Sequence, residues 1–300
     1  MVSSSIIKRL VAEAGFELCG VIRATPYPEE RNHINRWLES GWGSDVGYIS
    51  NNLDLRLDSS MIVDGAKSVI VCGLNYNREG SRVDGDRAKI ARYAQMRDYH
   101  KTIRKALKTI LSSLKLSYPQ INGRVFTDSA PLLEKRMAVE AGLGWIGRQS
   151  LLVNPEYGSY ILLGEIVITE EVNAYDTPML NVGCGSCRGC IDNCPTGAIG
   201  EERTIDTRKC ISCQTIEIDG RDGGYHGWIF GCDRCIESCP YSRQTPYSTN
   251  PITARVLTPP TREEWLSMDS EEFDRLTAGT AIRRSSLSRI VNILRKDTLS

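Results

Sequence analysis

Cys184-Gly185-Ser186-Cys187-Arg188-Gly189-Cys190-Ile191-Asp192-Asn193-Cys194-Pro195 opens a cysteine-rich stretch, and Cys232-Asp233-Arg234-Cys235-Ile236-Glu237-Ser238-Cys239-Pro240 closes it. The first run has the bacterial-ferredoxin spacing for 4Fe–4S cubanes, in which the cysteine before proline ligates the other cluster. Short intervals let three thiolates wrap one cluster. The proline then turns the chain and sends the fourth away. The second run must return a ligand. By this crossing rule Cys184, Cys187, Cys190 and Cys239 hold one cluster, and Cys194, Cys232 and Cys235 hold three corners of the other. The remaining corner falls to Cys210 or Cys213. A four-cysteine zinc site over Cys210-x2-Cys213 and Cys232-x2-Cys235 also fits a known spacing. It would strand Cys194 and Cys239. The total of eleven cysteines is odd, which speaks against a disulfide framework.

The rest of the chain is that of an ordinary globular protein. It has 300 residues, 41% hydrophobic and 25% charged, enough for one large domain or two smaller ones. Its 37 basic and 37 acidic residues cancel, so any nucleic-acid contact must come from local charge. Met1 to Gly15 carries Lys8, Arg9 and Glu13 and does not read as a signal peptide. No apolar run approaches the roughly 18 residues that span a bilayer. A cytoplasmic protein without membrane contact is expected, where thiols stay reduced.

Periodicity places the remaining elements. Ile6, Ile7, Leu10, Val11 and Ala14 predict a first helix ending at Gly15. Strands are predicted over 16–22, 68–74 and 124–127, and over 151–153 and 160–169 joined through 154–158. Helices are predicted over 28–39 and from Tyr99, the latter with Ile103, Leu107, Ile110, Leu111 and Leu114 on one face. His100 opens that helix and suits a capping or packing role as well as a functional one. Segments 41–58 and 77–89 read as loops. Asp128-Ser129-Ala130-Pro131 lies between a strand and a helix expected to start at Pro131. Asp128 there can serve the helix dipole or catalysis. The glycines of Ala141-Gly142-Leu143-Gly144-Trp145-Ile146-Gly147 would let backbone approach a flat cofactor. Their spacing gives no support for a dinucleotide. Glu165, inside an apolar strand, should be paired or at an edge. Short helices are expected over 263–267 and 271–276. The last helix, 282–296, holds Arg283, Arg284, Arg289, Arg295 and Lys296 without an acid. That face is either solvated or phosphate-contacting.

Several ordered motifs together resemble the epoxyqueuosine reductases of bacterial tRNA modification. They are Arg92-Tyr93-Ala94 with Asp98-Tyr99-His100-Lys101, Asp128-Ser129-Ala130-Pro131 with Glu134, and the glycine turn 141–147. Gly158-Ser159-Tyr160, Leu163-Gly164-Glu165 and the cysteine domain with Arg208-Lys209-Cys210 and Gly231-Cys232-Asp233 complete the set. The resemblance implies an α+β protein with a nitroreductase-like α/β cobalamin-binding domain (1–171) and a ferredoxin-like two-cluster 4Fe–4S domain (172–250). C-terminal helices (251–300) would contact tRNA through Arg283, Arg284 and Arg289.

It implies Cys210 as the eighth cluster ligand and Asp128 as proton donor. Cobalamin contacts would come from Arg56, Ala91, Asp128, Leu152, Asn154, Leu163 and Asp233. The implied activity is reduction of epoxyqueuosine to queuosine at the wobble position by a monomer fed by an external electron donor. Donation requires Asp128 to be protonated near neutrality, and burial against the corrin is expected to raise its pKa from roughly 4. The alternatives are a corrinoid reductive dehalogenase, with Tyr93 or Tyr99 as the acid, and a non-enzymatic iron–sulfur electron carrier.

Overall fold

The computed structural model describes residues 1–82, 85–218 and 224–297. Part of the loop expected over 77–89 therefore lies outside the described residues. The strands are β1 (Leu18–Arg23), β2 (Ser68–Asn75), β3 (Lys89–Ile90), β4 (Gly123–Phe126), β5 (Trp145–Ile146), β6 (Leu152–Val153), β7 (Ile161–Ile168) and β8 (Trp228–Phe230).

Four of them form one antiparallel sheet in the order β1-β2-β7-β4. Helices cover both faces, so its central strands read as continuous apolar runs, and every residue of β2 is buried. Side chains alternate by the strand period. Ile70, Cys72 and Leu74 meet Ile7 and Val11 of the first helix (Ser4–Glu13) and Ile103, Leu107 and Ile110 of the helix Tyr99–Ser117. Val69 and Val71 face the other way, onto Met137, Ala138 and Ala141.

Three expectations shift. The segment 41–58 is not a plain loop: it holds a 3-10 turn (Ser44–Ile49) and a short helix (Leu53–Leu57) whose Leu57 is buried. The helix after Asp128 starts at Glu134, not Pro131, because the chain uses 129–133 for a bend. The strand before 154–158 does not pair with β7. It pairs with β5, and β7 takes β2 and β4 instead. Gly144 makes that β5–β6 hairpin possible. Its φ is 150°, and a Cβ there would lie 2.1 Å from the Val153 carbonyl oxygen.

A second core joins three distant parts of the chain. Ile90 and Ala94 pack with Tyr225, Trp228 and Phe230 and with Trp265, Phe273, Ile290 and Leu294. β3 pairs in parallel with β8. The sheet-side segment around 90, the cysteine domain and the C-terminal helices thus share one interior. At the join Gly231 adopts φ +70°, and an added Cβ would sit 2.5 Å from the Ala91 Cβ. The last basic segment is two elements, a 3-10 turn (Ala281–Arg284) and a helix (Leu287–Asp297).

Candidate active site

The cysteines stand in two groups. Cys190 lies within electrostatic reach of Cys184 and Cys239. The Cys187 N–H donates to the Cys184 carbonyl at 3.0 Å, a tight turn that holds those two together. Cys232 is near Cys194 and Cys210, and Cys235 is near Cys232 and Cys210. Cys235 also lies within electrostatic reach of Cys190, so the two groups adjoin. Cys213, one turn on in the helix Ile211–Ile216, is buried beside Cys210. Among the described residues no three His, Cys, Asp or Glu side chains close on a single ion.

Two cavities run together between the sheet and the cysteine domain. One, of ≈410 Å³, is lined by Cys194, Cys210, Cys232 and Cys235 and by Ala91, Leu152 and Asp233, but not Cys213. The other, of ≈540 Å³, is lined by Asp128, Arg56, Ile34 and Trp37. Leu151, Ile161, Leu162, Leu163 and Lys135 line both, so they form one cleft with a largely apolar wall. Asn154 does not face it. Its amide is committed to a local turn, donating to Leu143 O at 2.8 Å and accepting from the Glu156 and Tyr157 N–H groups. The glycine turn also differs from expectation. Its glycines fit the β5–β6 hairpin and the Thr177 backbone rather than the cleft wall.

Asp128 hangs from the end of β4 with φ 59°, a left-handed conformation that Asp tolerates better than most residues. Its backbone N–H donates to Glu134 Oε1. Its Oδ2 lies 2.8 Å from His100 Nε2, and His100 Nδ1 lies 2.7 Å from Asp98 Oδ1. Asp98 also caps the helix by accepting the His100 N–H. His100 stacks on Tyr99 with ring centroids 4.1 Å apart.

This chain reverses the expected acidity. The hydrogen bond from His100 outweighs burial and holds the Asp128 carboxyl below its ordinary value. The same bond, with help from Asp98, raises His100. The proton at this end therefore resides in the His100–Asp128 pair. His100 was legible only as an ambiguous helix opener, because a residue 28 positions from Asp128 leaves no local pattern. Lys135 was not singled out. It donates to the Ser150 carbonyl at 2.6 Å, and desolvation lowers its pKa.

The C-terminal arginines lie elsewhere. Arg283 pairs with Asp274 at 2.7 Å and Arg284 with Glu217 at 3.3 Å, both with half-exposed side chains. Arg289 donates to the Gln214, Ile216 and Ile218 carbonyls at the end of the helix Ile211–Ile216. That suits a strut better than a surface contact.

Thiols at one end of an apolar slot and an aspartate–histidine pair at the other are the parts an iron–sulfur oxidoreductase can use. Comparison with known proteins specifies which. A family model described as "Epoxyqueuosine reductase QueG, DUF1730" matches residues 56–129, and one described as "4Fe-4S double cluster binding domain" matches 183–242. The latter displaces the zinc reading. An epoxyqueuosine reductase of Cyclobacterium marinum is 37% identical over 291 residues, covering 94% of this chain and 92% of that protein.

The epoxyqueuosine reductase structure from Streptococcus thermophilus superposes with TM-score 0.85 at 25% identity, over 97% of this chain and 79% of that one. An epoxyqueuosine reductase solved with an epoxyqueuosine-modified tyrosine tRNA stem loop has the same fold, with TM-score 0.87 at 22% identity over 97% and 80%. The chain belongs to the epoxyqueuosine reductase family. The rival class shares fold only: the catabolic reductive dehalogenase NpRdhA matches with TM-score 0.53 at 18% identity, over 80% of this chain and 32% of that one.

Proposed function

We propose that this protein reduces the epoxide of epoxyqueuosine in tRNA to the alkene of queuosine, using two 4Fe–4S clusters and a cobalamin held in the cleft. The observation that carries this reading is the single apolar slot with Cys194, Cys210, Cys232 and Cys235 at one end and Asp128 at the other. Loss of the epoxide oxygen as water takes two electrons and two protons. Both must arrive at one place.

The donor set fits the groups. Cys184, Cys187, Cys190 and Cys239 would hold one cluster and Cys194, Cys210, Cys232 and Cys235 the other, which opens on the slot. A flat, mostly apolar macrocycle suits walls of Leu151, Leu152, Ile161, Leu162 and Leu163, with Ala91 and Asp233 at one side and Arg56 at the other. The buried Arg56 Nε lacks a hydrogen-bond partner among protein atoms, as a residue awaiting a polar ligand group would. Cobalamin, when bound, supplies a cobalt centre that accepts single electrons from the clusters and acts as a strong nucleophile.

The protein's own residues then do the rest. The apolar walls exclude water. The sheet holds Asp128 at the cleft, and the His100–Asp128 pair supplies one proton through the Asp128 carboxyl to the departing oxygen, the second coming from solvent at the half-exposed mouth as water is released. Asp98 holds the His100 ring from the far nitrogen, which leaves Nε2 for Asp128.

The dehalogenase reading needs a tyrosine acid. Burial and nearby acids raise both Tyr93 and Tyr99, which weakens them in that role. An electron carrier would have no need of the Asp128 end of the cleft. Arg283 and Arg284 remain candidates for tRNA phosphate. Their exposed ion pairs are worth about 0–1 kcal/mol and can be exchanged. No helix among the described residues is long and apolar enough to cross a membrane. The electron donor is external, and the protein works as a monomer.

The test is direct. Protein reconstituted with iron, sulfide and cobalamin is given reductant and tRNA containing epoxyqueuosine, and the nucleosides are analysed by mass spectrometry. Conversion to queuosine is expected. No conversion by protein replete in both cofactors would overturn the reading.

A further inference from the structure

Glu165 is the anomaly of the main sheet. It lies in central strand β7, between Val71 of β2 and Phe126 of β4, and is fully buried. Neither of its carboxyl oxygens meets a donor from the protein. What faces it is another acceptor, the carboxyl of Glu134 at the start of the helix Glu134–Glu140. Two carboxylates cannot face each other in an apolar interior, and one proton between them resolves the conflict. Glu134 is in turn the group that accepts the Asp128 N–H. Residues Phe126, Glu165, Glu134 and Asp128 thus form a closed path from the middle of the sheet to the cleft.

We propose that Glu165 is a positioning residue: it stays protonated, donates to the Glu134 carboxylate, and through Glu134 pins the Asp128 backbone in the left-handed turn that aims its side chain into the cleft. The assignment rests on the reading of Asp128 as proton donor for its catalytic meaning, but the clamp itself is structural and can be tested alone. Desolvation raises both glutamates, Glu165 the more strongly, which is the direction the clamp requires. Lys135 and the Asp128 carboxyl are the other charged groups facing Glu134, and they act on it in opposite senses.

The clamp explains why a left-handed non-glycine residue persists at the end of β4. Such conformations cost free energy and hold only where the surroundings over-determine them. A charge-assisted hydrogen bond to the Asp128 N–H, itself anchored from the sheet, is such a constraint.

Three measurements test it. In a difference infrared spectrum at neutral pH, the wild-type protein minus Glu165→Gln should show a protonated carboxyl; its absence would overturn the proposal. Glu165→Leu removes the donor. Amide exchange across 128–133 should then rise about tenfold or more, the worth of a lost hydrogen bond to a charged group. In that variant kcat should fall by about tenfold to a hundredfold through misplacement of the acid, while KM for tRNA and the iron and corrin contents hold. Glu165→Gln keeps a donor toward Glu134 and should restore wild-type exchange and most of kcat. A Gln variant as impaired as the Leu variant would overturn the clamp, as would wild-type exchange in the Leu variant. If the clamp results hold while Asp128→Asn turns over normally, the proton-donor reading fails and the clamp stands.

Discussion

The two ends of the cleft are built by opposite means. At the thiol end, Cys194, Cys232 and Cys235 sit on turns and on a helix of four residues, Arg234–Glu237, with few long-range backbone bonds. At the acid end, Asp128 extends from a four-stranded sheet and is held by His100 and Glu134 from two separate helices, with Asp98, the cap of the first, fixing the His100 ring. The first end would be completed by the inorganic groups its thiols hold. The second is preorganised by the polypeptide, as the proposed proton donor requires. Electron entry tolerates some slack in position, whereas proton transfer requires hydrogen-bond distance.

The largest effect expected is at the rigid end. Asp128→Asn keeps the size of the side chain and its tolerance of the left-handed turn. It should bind both cofactors normally and lose roughly 10²–10⁴ in turnover. Near-normal turnover would mean the acid end only shapes the fold. The flexible end should respond in metal content rather than in fold. Cys210→Ala should lose one cluster of two, and Cys213→Ala neither, as read by iron analysis and the spectrum of the reduced protein. Loss of iron only in the Cys213 variant would reverse the ligand choice.

Chelation sharpens the contrast further. Removing iron should greatly speed amide exchange over 183–218 and 224–242 while the strands β2 and β7 keep their protection. Equal loss in both regions would show that the ends are one cooperative unit.

A smaller effect concerns protons. His100 is raised above the ordinary 6.5. Its charged form therefore stabilises the folded state fully below 6.5, and this contribution is lost as pH rises through the higher folded value. Asp128 is lowered from 3.8, so its contribution holds above 3.8 and is lost as pH falls through the lower folded value. The pair should be intact between those limits. NMR titration should show His100 above 6.5 and moving down in Asp128→Asn, while His33, lowered chiefly by burial, stays put. The smallest effect is expected at the C-terminal arginines. Arg283→Ala with Arg284→Ala should weaken tRNA binding modestly and flatten its salt dependence, whereas an unchanged slope would return them to solvated roles.

The same contrast governs what could be read from the chain. The thiol end was legible because its ligands lie at short, fixed intervals, and cluster geometry constrains those intervals directly. Helices such as Pro28–Glu39 and Tyr99–Ser117 were legible from their apolar period. At the acid end only Asp128 received a role; His100, Glu134 and Glu165 stood in the family motifs without one. His100 and Glu165 meet it only through the tertiary fold, and a single glutamate in an apolar strand does not announce its partner. The acidity of Asp128 went the wrong way for the same reason: burial can be guessed locally, but a histidine from another helix cannot. The C-terminal charges looked unopposed because Asp274 and Glu217 lie outside the stretch that carries them.

The second core has a consequence for synthesis. Ile90 and Ala94 wait for Phe230, and both wait for Ile290 and Leu294, which leave the ribosome long after the strands of the main sheet. The main sheet can close once β7 has emerged, well before the chain is released. The wall of the cleft at Ala91 cannot be finished then, because Gly231 and the helices behind it do not yet exist. Each nascent chain therefore carries a folded main sheet with a half-built slot until the helix Leu287–Asp297 has emerged. A stop codon placed before Leu287 should yield a chain with an intact sheet and an unsealed second core, a candidate for proteolysis rather than a slower enzyme.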